Sequence, residues 1–74
     1  MIKQKRQYKM ADAEIVSAEL LWPENEQCKG KFVALGTFVY SDGERGNEVR
    51  TSLIVAGGIS EGFVETLNSV YKFV

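Results

Sequence analysis

The sequence predicts a mainly β protein: a small antiparallel sheet or open barrel-like domain around a central hairpin, with room for one short helix. Three observations carry that prediction. Residues 31 to 40 form an apolar alternating run, residues 48 to 56 form a second, and the glycine-containing Ser41-Asp42-Gly43-Glu44-Arg45-Gly46-Asn47 joins them. A length of 74 residues makes one domain. We place it at 11–74, behind a basic N-terminal arm, 1–10, whose composition permits disorder.

The arm holds Lys3, Lys5, Arg6 and Lys9, and Asp12, Glu14, Glu19, Glu24 and Glu26 follow with no base among them. Such an arm can touch phosphate, although a solvated terminus is its commoner use. Met10-Ala11-Asp12 reads as an alternative start, which would make the arm dispensable. From Glu14 to Trp22 two patterns compete. A strand would line Val16, Ala18, Leu20 and Trp22 on one face; a helix capped by Asp12 would line Ala11, Ile15, Ala18 and Trp22. The strand is favoured, because strands follow and Pro23 ends the segment either way. Pro23 to Gly30 is polar and reads as a connection.

In the next segment Phe32, Ala34, Gly36 and Phe38 alternate with Val33, Leu35, Thr37 and Val39. Both faces are apolar, the mark of a strand buried on two sides. Gly36 inside it predicts a bulge or the close approach of another group. After the turn, Val49, Thr51, Leu53 and Val55 point one way and Glu48, Arg50, Ser52 and Ile54 the other. Gly57-Gly58 breaks that strand. The tail is divided. Phe63, Leu67, Val70 and Val74 have helical spacing behind a Ser60 cap, yet the segment is rich in the β-branched and aromatic residues of strands. Both readings stay open.

At this size folding buries only roughly 60% of the surface of the unfolded chain, so small domains lean on disulfides, metals or self-association. Cys28 is the only cysteine and there is no histidine, so the expectation is a homodimer or larger assembly without metal or cofactor. A net charge of −1 gives no bulk attraction for nucleic acid. No apolar run reaches membrane-span length, and the charged start lacks the apolar stretch of a signal peptide. The expected setting is therefore the cytoplasm, with Cys28 reduced.

Catalysis is not expected. Nucleophilic chemistry of the Ser/His or Cys/His kind lacks its base. Cys28 beside Lys29 reads as incidental, and Glu24 with Glu26, or Asp42 with Glu44, as solvated loop acids. Binding has better candidates. Arg50, with the hydroxyls of Thr51 and Ser52, could anchor phosphate through charge-assisted donors; an exposed arginine paired with Glu48 or Glu65 is the bland alternative. Asn68 and Ser69 interrupt the apolar tail with hydrogen-bonding groups, where a simple turn is the alternative. Tyr40 and Tyr71 could stack on a base, where packing is the commoner use.

Val33-Ala34-Leu35-Gly36-Thr37, Asp42-Gly43, Val49-Arg50-Thr51-Ser52-Leu53-Ile54-Val55 and Val64-Glu65-Thr66-Leu67-Asn68-Ser69-Val70-Tyr71 resemble the core of small phage-encoded sponge proteins of the Thoeris anti-defence type, over residues 31 to 74. Gly36 to Ser41 departs from the Gly-His-Pro stretch of that group. The resemblance implies a tail of strands and an assembly with its pocket between subunits. It also implies stoichiometric capture of a cyclic nucleotide or cyclic ADP-ribose-type immune signal in a host cell. Arg50 would meet phosphate; Thr51, Ser52, Asn68 and Ser69 would bond ribose or phosphate oxygens; Tyr40 or Tyr71 would stack. The rival expectations are a phage inhibitor that binds a host defence or transcription protein and, more weakly, a nucleic-acid-binding module.

Overall fold

Tyr8 and Met10 alternate with Gln7 and Lys9, and this period of two starts the first strand well inside the basic arm. The computed structural model describes residues 4–74 and gives β1 (Arg6–Ser17), β2 (Phe32–Val39), β3 (Arg45–Arg50), β4 (Ala56–Gly58), β5 (Phe63–Glu65) and β6 (Ser69–Phe73). One helical turn, α1 (Ala18–Leu21), and a 3-10 turn at Glu26–Cys28 lie between β1 and β2. The fold is mainly β, as the sequence predicts. The domain boundary expected after residue 10 falls inside β1 instead: Met10 is fully buried and pairs with Phe38 on one side and Phe73 on the other. Lys3 lies outside the described residues.

The sheet order is β3-β2-β1-β6-β5-β4. Its pairings are antiparallel except β1 with β6, which is parallel, so the sheet is mixed rather than antiparallel throughout. It also curls. Ile54 N–H donates to the Phe32 carbonyl on β2 (2.8 Å) and the next residue, Val55, to the Glu65 carbonyl on β5 (2.8 Å). In a flat sheet those strands would stand roughly 14 Å apart, whereas consecutive Cα atoms are about 3.8 Å apart. The link from β3 to β4 thus draws the sheet into an open, barrel-like curl that does not close.

Two clusters fill the structure, and β2 feeds both. Ala34 joins Met10, Val64 and Tyr71, with Ile15, Phe38, Val49 and Ile54 packed around them. Val33 joins Ala18 and Cys28, with Val16, Trp22 and Leu53 around them. Consecutive strand residues point to opposite faces, so the two-sided burial expected of the whole strand is met at Val33 and Ala34, both 0% exposed, while Phe32 is exposed. Gly36 is the predicted close approach: a Cβ there would lie 2.5 Å from Met10 Cγ and 2.9 Å from the Ala11 carbonyl.

A bulge in β1 lets one strand serve this arrangement. The register shifts between Ala11 and Glu14, with Asp12 at φ 54°. An added residue reverses which parity faces the core, and so both Met10 and Ile15 reach the first cluster. Asp12 is consequently a bulge residue and caps no helix. Beyond Ser17 the strand reading gives way to α1, and Leu20 is exposed. β3 ends at Arg50 rather than continuing to Ala56, and Gly57-Gly58 belongs to β4 rather than breaking a strand. The tail forms strands. Leu67, which a helical stripe would bury, is 76% exposed.

Candidate functional site

Seven residues were candidates from sequence, and the fold does not bring them into one site. Arg50, at the end of β3, opposes Leu35 of β2. Its guanidinium carbon lies 4.8 Å from the centroid of the Trp22 ring, a cation–π arrangement. The hollow around it, about 690 Å³, is lined by Asp12, Glu14 and Glu48 together with Leu35 and Thr37. Asp12 is paired with Arg45; no partner of Glu14 or Glu48 occurs among the ion pairs of the described residues. Carboxylates around the guanidinium repel a phosphate, which argues against Arg50 as the phosphate anchor.

Thr51 is not available to a ligand. It is 3% exposed. Its N–H donates to the Ala34 carbonyl (3.0 Å), its Oγ1 accepts from Ala34 N–H (2.9 Å), and the same hydroxyl donates to the Ser52 carbonyl (2.8 Å). The side chain thus continues the β2 ladder where β3 has ended. Ser52 is exposed and lines none of the hollows at Arg50, Asn68 or Tyr40.

Asn68 and Ser69 sit at the β5–β6 turn. The Asn68 carbonyl accepts from Arg6 N–H (3.1 Å) and the Ser69 carbonyl from Thr66 N–H (2.9 Å). With Gln4, Lys5, Arg6 and Leu67 they line a separate hollow of about 360 Å³. Lys5 there is held by Glu65 and by the Thr66 carbonyl, 2.9 Å away. Tyr71 is buried in the first cluster, stacked on Tyr8 with ring centroids 5.3 Å apart. It is structural, and no base can reach its face on that side.

Tyr40 is the candidate that survives. The residue is 56% exposed and lines a hollow of about 660 Å³ together with Gln7, Tyr8, Lys9, Phe38, Val39, Ser41, Asn47 and Lys72. That volume suits a small ligand, and apolar walls with a few polar groups are the usual makeup of such sites. Tyr8 and Phe38 form a tilted pair at 5.5 Å, backed by the Tyr8–Tyr71 stack. The Tyr40 ring rests on Gly46, where a Cβ would lie 2.9 Å from its Cζ and Oη atoms; only a glycine leaves room for the ring in that position.

Lys9 and Lys72 are register partners across the parallel β1–β6 pairing. Both are exposed, and neither takes part in an ion pair among the described residues. Like charges directly opposite on neighbouring strands destabilise a sheet. An anion beside them would remove that repulsion. Lys9 is visible in the sequence only as one base of the arm, and Lys72 carries no local signal; their meeting is a product of the β1–β6 pairing.

Among the described residues no group of three or more His, Cys, Asp or Glu is placed to hold a metal ion, and no helix is long and apolar enough to cross a membrane. Comparison of the chain with protein families, with curated proteins and with solved structures finds no match.

Proposed function

We propose that the protein is a non-enzymatic binding protein that captures a nucleotide-type ligand in the hollow between Tyr40 and the Lys9–Lys72 pair. The single observation that supports this is one hollow lined by the exposed Tyr40 and by two register-paired lysines that take part in no ion pair among the described residues. A base would stack on Tyr40, as bases do on aromatic platforms. Phosphate would accept charge-assisted hydrogen bonds from the two ammonium groups. Asn47, Ser41 and Gln7 offer donors and acceptors for a ribose or a base edge. With no histidine in the chain and Cys28 buried, the ligand is held and not transformed. In a phage setting this is the action of a sponge, which removes a cyclic nucleotide-type immune signal from the host cytoplasm. Thr51-Ser52 and Asn68-Ser69, which carry the sequence resemblance, lie away from the hollow and lend it no support.

The test is uptake and release. Purified protein is incubated with cyclic AMP, cyclic di-AMP and cyclic ADP-ribose, freed of unbound ligand, and heat-denatured. Release of intact nucleotide in stoichiometric amount is expected. Release of a hydrolysed product would replace capture by catalysis. No uptake of any of the three, with a stable host-protein complex in a pull-down, would favour the inhibitor over the sponge.

A further inference from the structure

The sheet has two edges, and they differ. β4 is three residues long and carries Gly57 at φ 85°, a short and irregular edge of the kind that resists pairing. β3 is six residues long and presents an open row of backbone groups on its outer side. Thr51 N–H turns inward to Ala34. Backbone groups alternate in direction along an antiparallel strand, so those of Val49 also turn inward, and those of Glu48 and Arg50 point out of the sheet.

Charge along this edge is self-complementary. Glu48 opposes Thr37 and Arg50 opposes Leu35, which puts both side chains on one face. Neither belongs to an ion pair among the described residues. The guanidinium carbon of Arg50 lies 4.8 Å from the centroid of the Trp22 ring, and its N–H groups take part in no side-chain hydrogen bond among the described residues. The chain is also less compact than its length allows: the radius of gyration is 12.6 Å, against about 11 Å expected for a closely packed domain of this size.

We propose that β3 is a dimerisation edge that pairs antiparallel with β3 of a second copy about a two-fold axis at Val49. In that register Glu48 of each copy exchanges backbone hydrogen bonds with Arg50 of the other, and the same two residues form side-chain ion pairs, two in all by symmetry. The adjacent registers that keep outward groups facing each other place Glu48 opposite Glu48, or Arg50 opposite Arg50, and are disfavoured by repulsion. The charges thus select one alignment. The result is a sheet continuous across two chains, which supplies the support a domain of this size lacks alone.

Charge exchange tests it. By sedimentation equilibrium over a micromolar to millimolar series, the parent chain is expected to dimerise. E48R and R50E should each weaken the dimer by about tenfold or more, since two attractive pairs become repulsive. Mixing the two variants should restore dimerisation as a heterodimer, and E48R/R50E should restore the homodimer. Circular dichroism of each variant monitors the fold. A parent that stays monomeric throughout, single variants that dimerise like the parent, or folded variants that the mixture and the double exchange fail to rescue would each overturn the proposal.

Discussion

Around the end of β2, Lys9 and Lys72 oppose each other on the sheet face opposite Tyr8 and Phe38, and with Tyr40 they line a hollow that has no carboxylate among its described residues. Around its middle, the Arg50 guanidinium lies over the Trp22 ring among Asp12, Glu14 and Glu48. The second region has the residue most suited to phosphate and the wrong company for it. The first has ordinary lysines whose neighbours leave their charge unanswered. A cation's local field decides whether it can hold an anion, and that field is set by pairing across strands more than by sequence neighbours.

The regions also differ in packing, and the largest expected effect tests that difference. Met10 belongs to the larger cluster, which backs the Tyr40 hollow, and is fully buried. Met10→Ala should destabilise the chain by about 2–5 kcal/mol in denaturant unfolding. A loss below about 1 kcal/mol would mean that this cluster does not hold the curl together.

Ligand binding separates the regions next. Tyr40→Ala should lose about 1–3 kcal/mol of stacking, roughly 5- to 150-fold in Kd, by calorimetry with whichever nucleotide is taken up. Thr51→Val, at the Arg50 end, should cost about 1–3 kcal/mol of stability by leaving the Ala34 N–H without its acceptor, and should leave ligand affinity unchanged. An affinity loss in a folded Thr51→Val protein would return that hydroxyl to the site.

The smallest effects are the sharpest. Lys72→Gln should raise the stability of the ligand-free protein by about 0.2–1 kcal/mol through relief of the like-charge pair, while weakening nucleotide binding. Arg50→Ala should cost about 0.5–1 kcal/mol of stability, the scale of an exposed cation–π contact, with no change in uptake. Stability and affinity moving together at Lys72 would mean that its charge is balanced in the free protein.

Much of the fold is legible in the sequence where the period of two is unbroken. Residues 32 to 39 show it on both faces, and the turn at residues 41 to 43 is announced by its composition, although residues 45 to 47, expected in the same turn, begin β3. The signal was present but masked in Arg6 to Met10: Tyr8 and Met10 alternate with Gln7 and Lys9, and the concentration of bases obscured that alternation. In the tail, helical spacing and β-rich composition conflicted, and tertiary pairing decided, with β6 drawn in beside β1 by a parallel ladder that no local pattern encodes. The Asp12 bulge hid the register in a similar way, by switching the buried parity midway along one strand.

The candidate site was less legible for a related reason. Thr51 looked like a ligand donor because a hydroxyl advertises hydrogen bonding without saying to what, and here the answer is the Ala34 backbone. Tyr71 looked like Tyr40 in sequence; burial separates them. Lys9 and Lys72 meet only because β1 and β6 run side by side. Residue type was readable, and three-dimensional company was not.

Amide NMR mapping during titration with cyclic AMP, cyclic di-AMP and cyclic ADP-ribose tests the central claim most directly. Shifts concentrated at Tyr8, Lys9, Tyr40, Asn47 and Lys72 are predicted for at least one of the three. Shifts centred instead on Arg50 and Ser52 or on Asn68 and Ser69, or none with any of the three nucleotides, would contradict it.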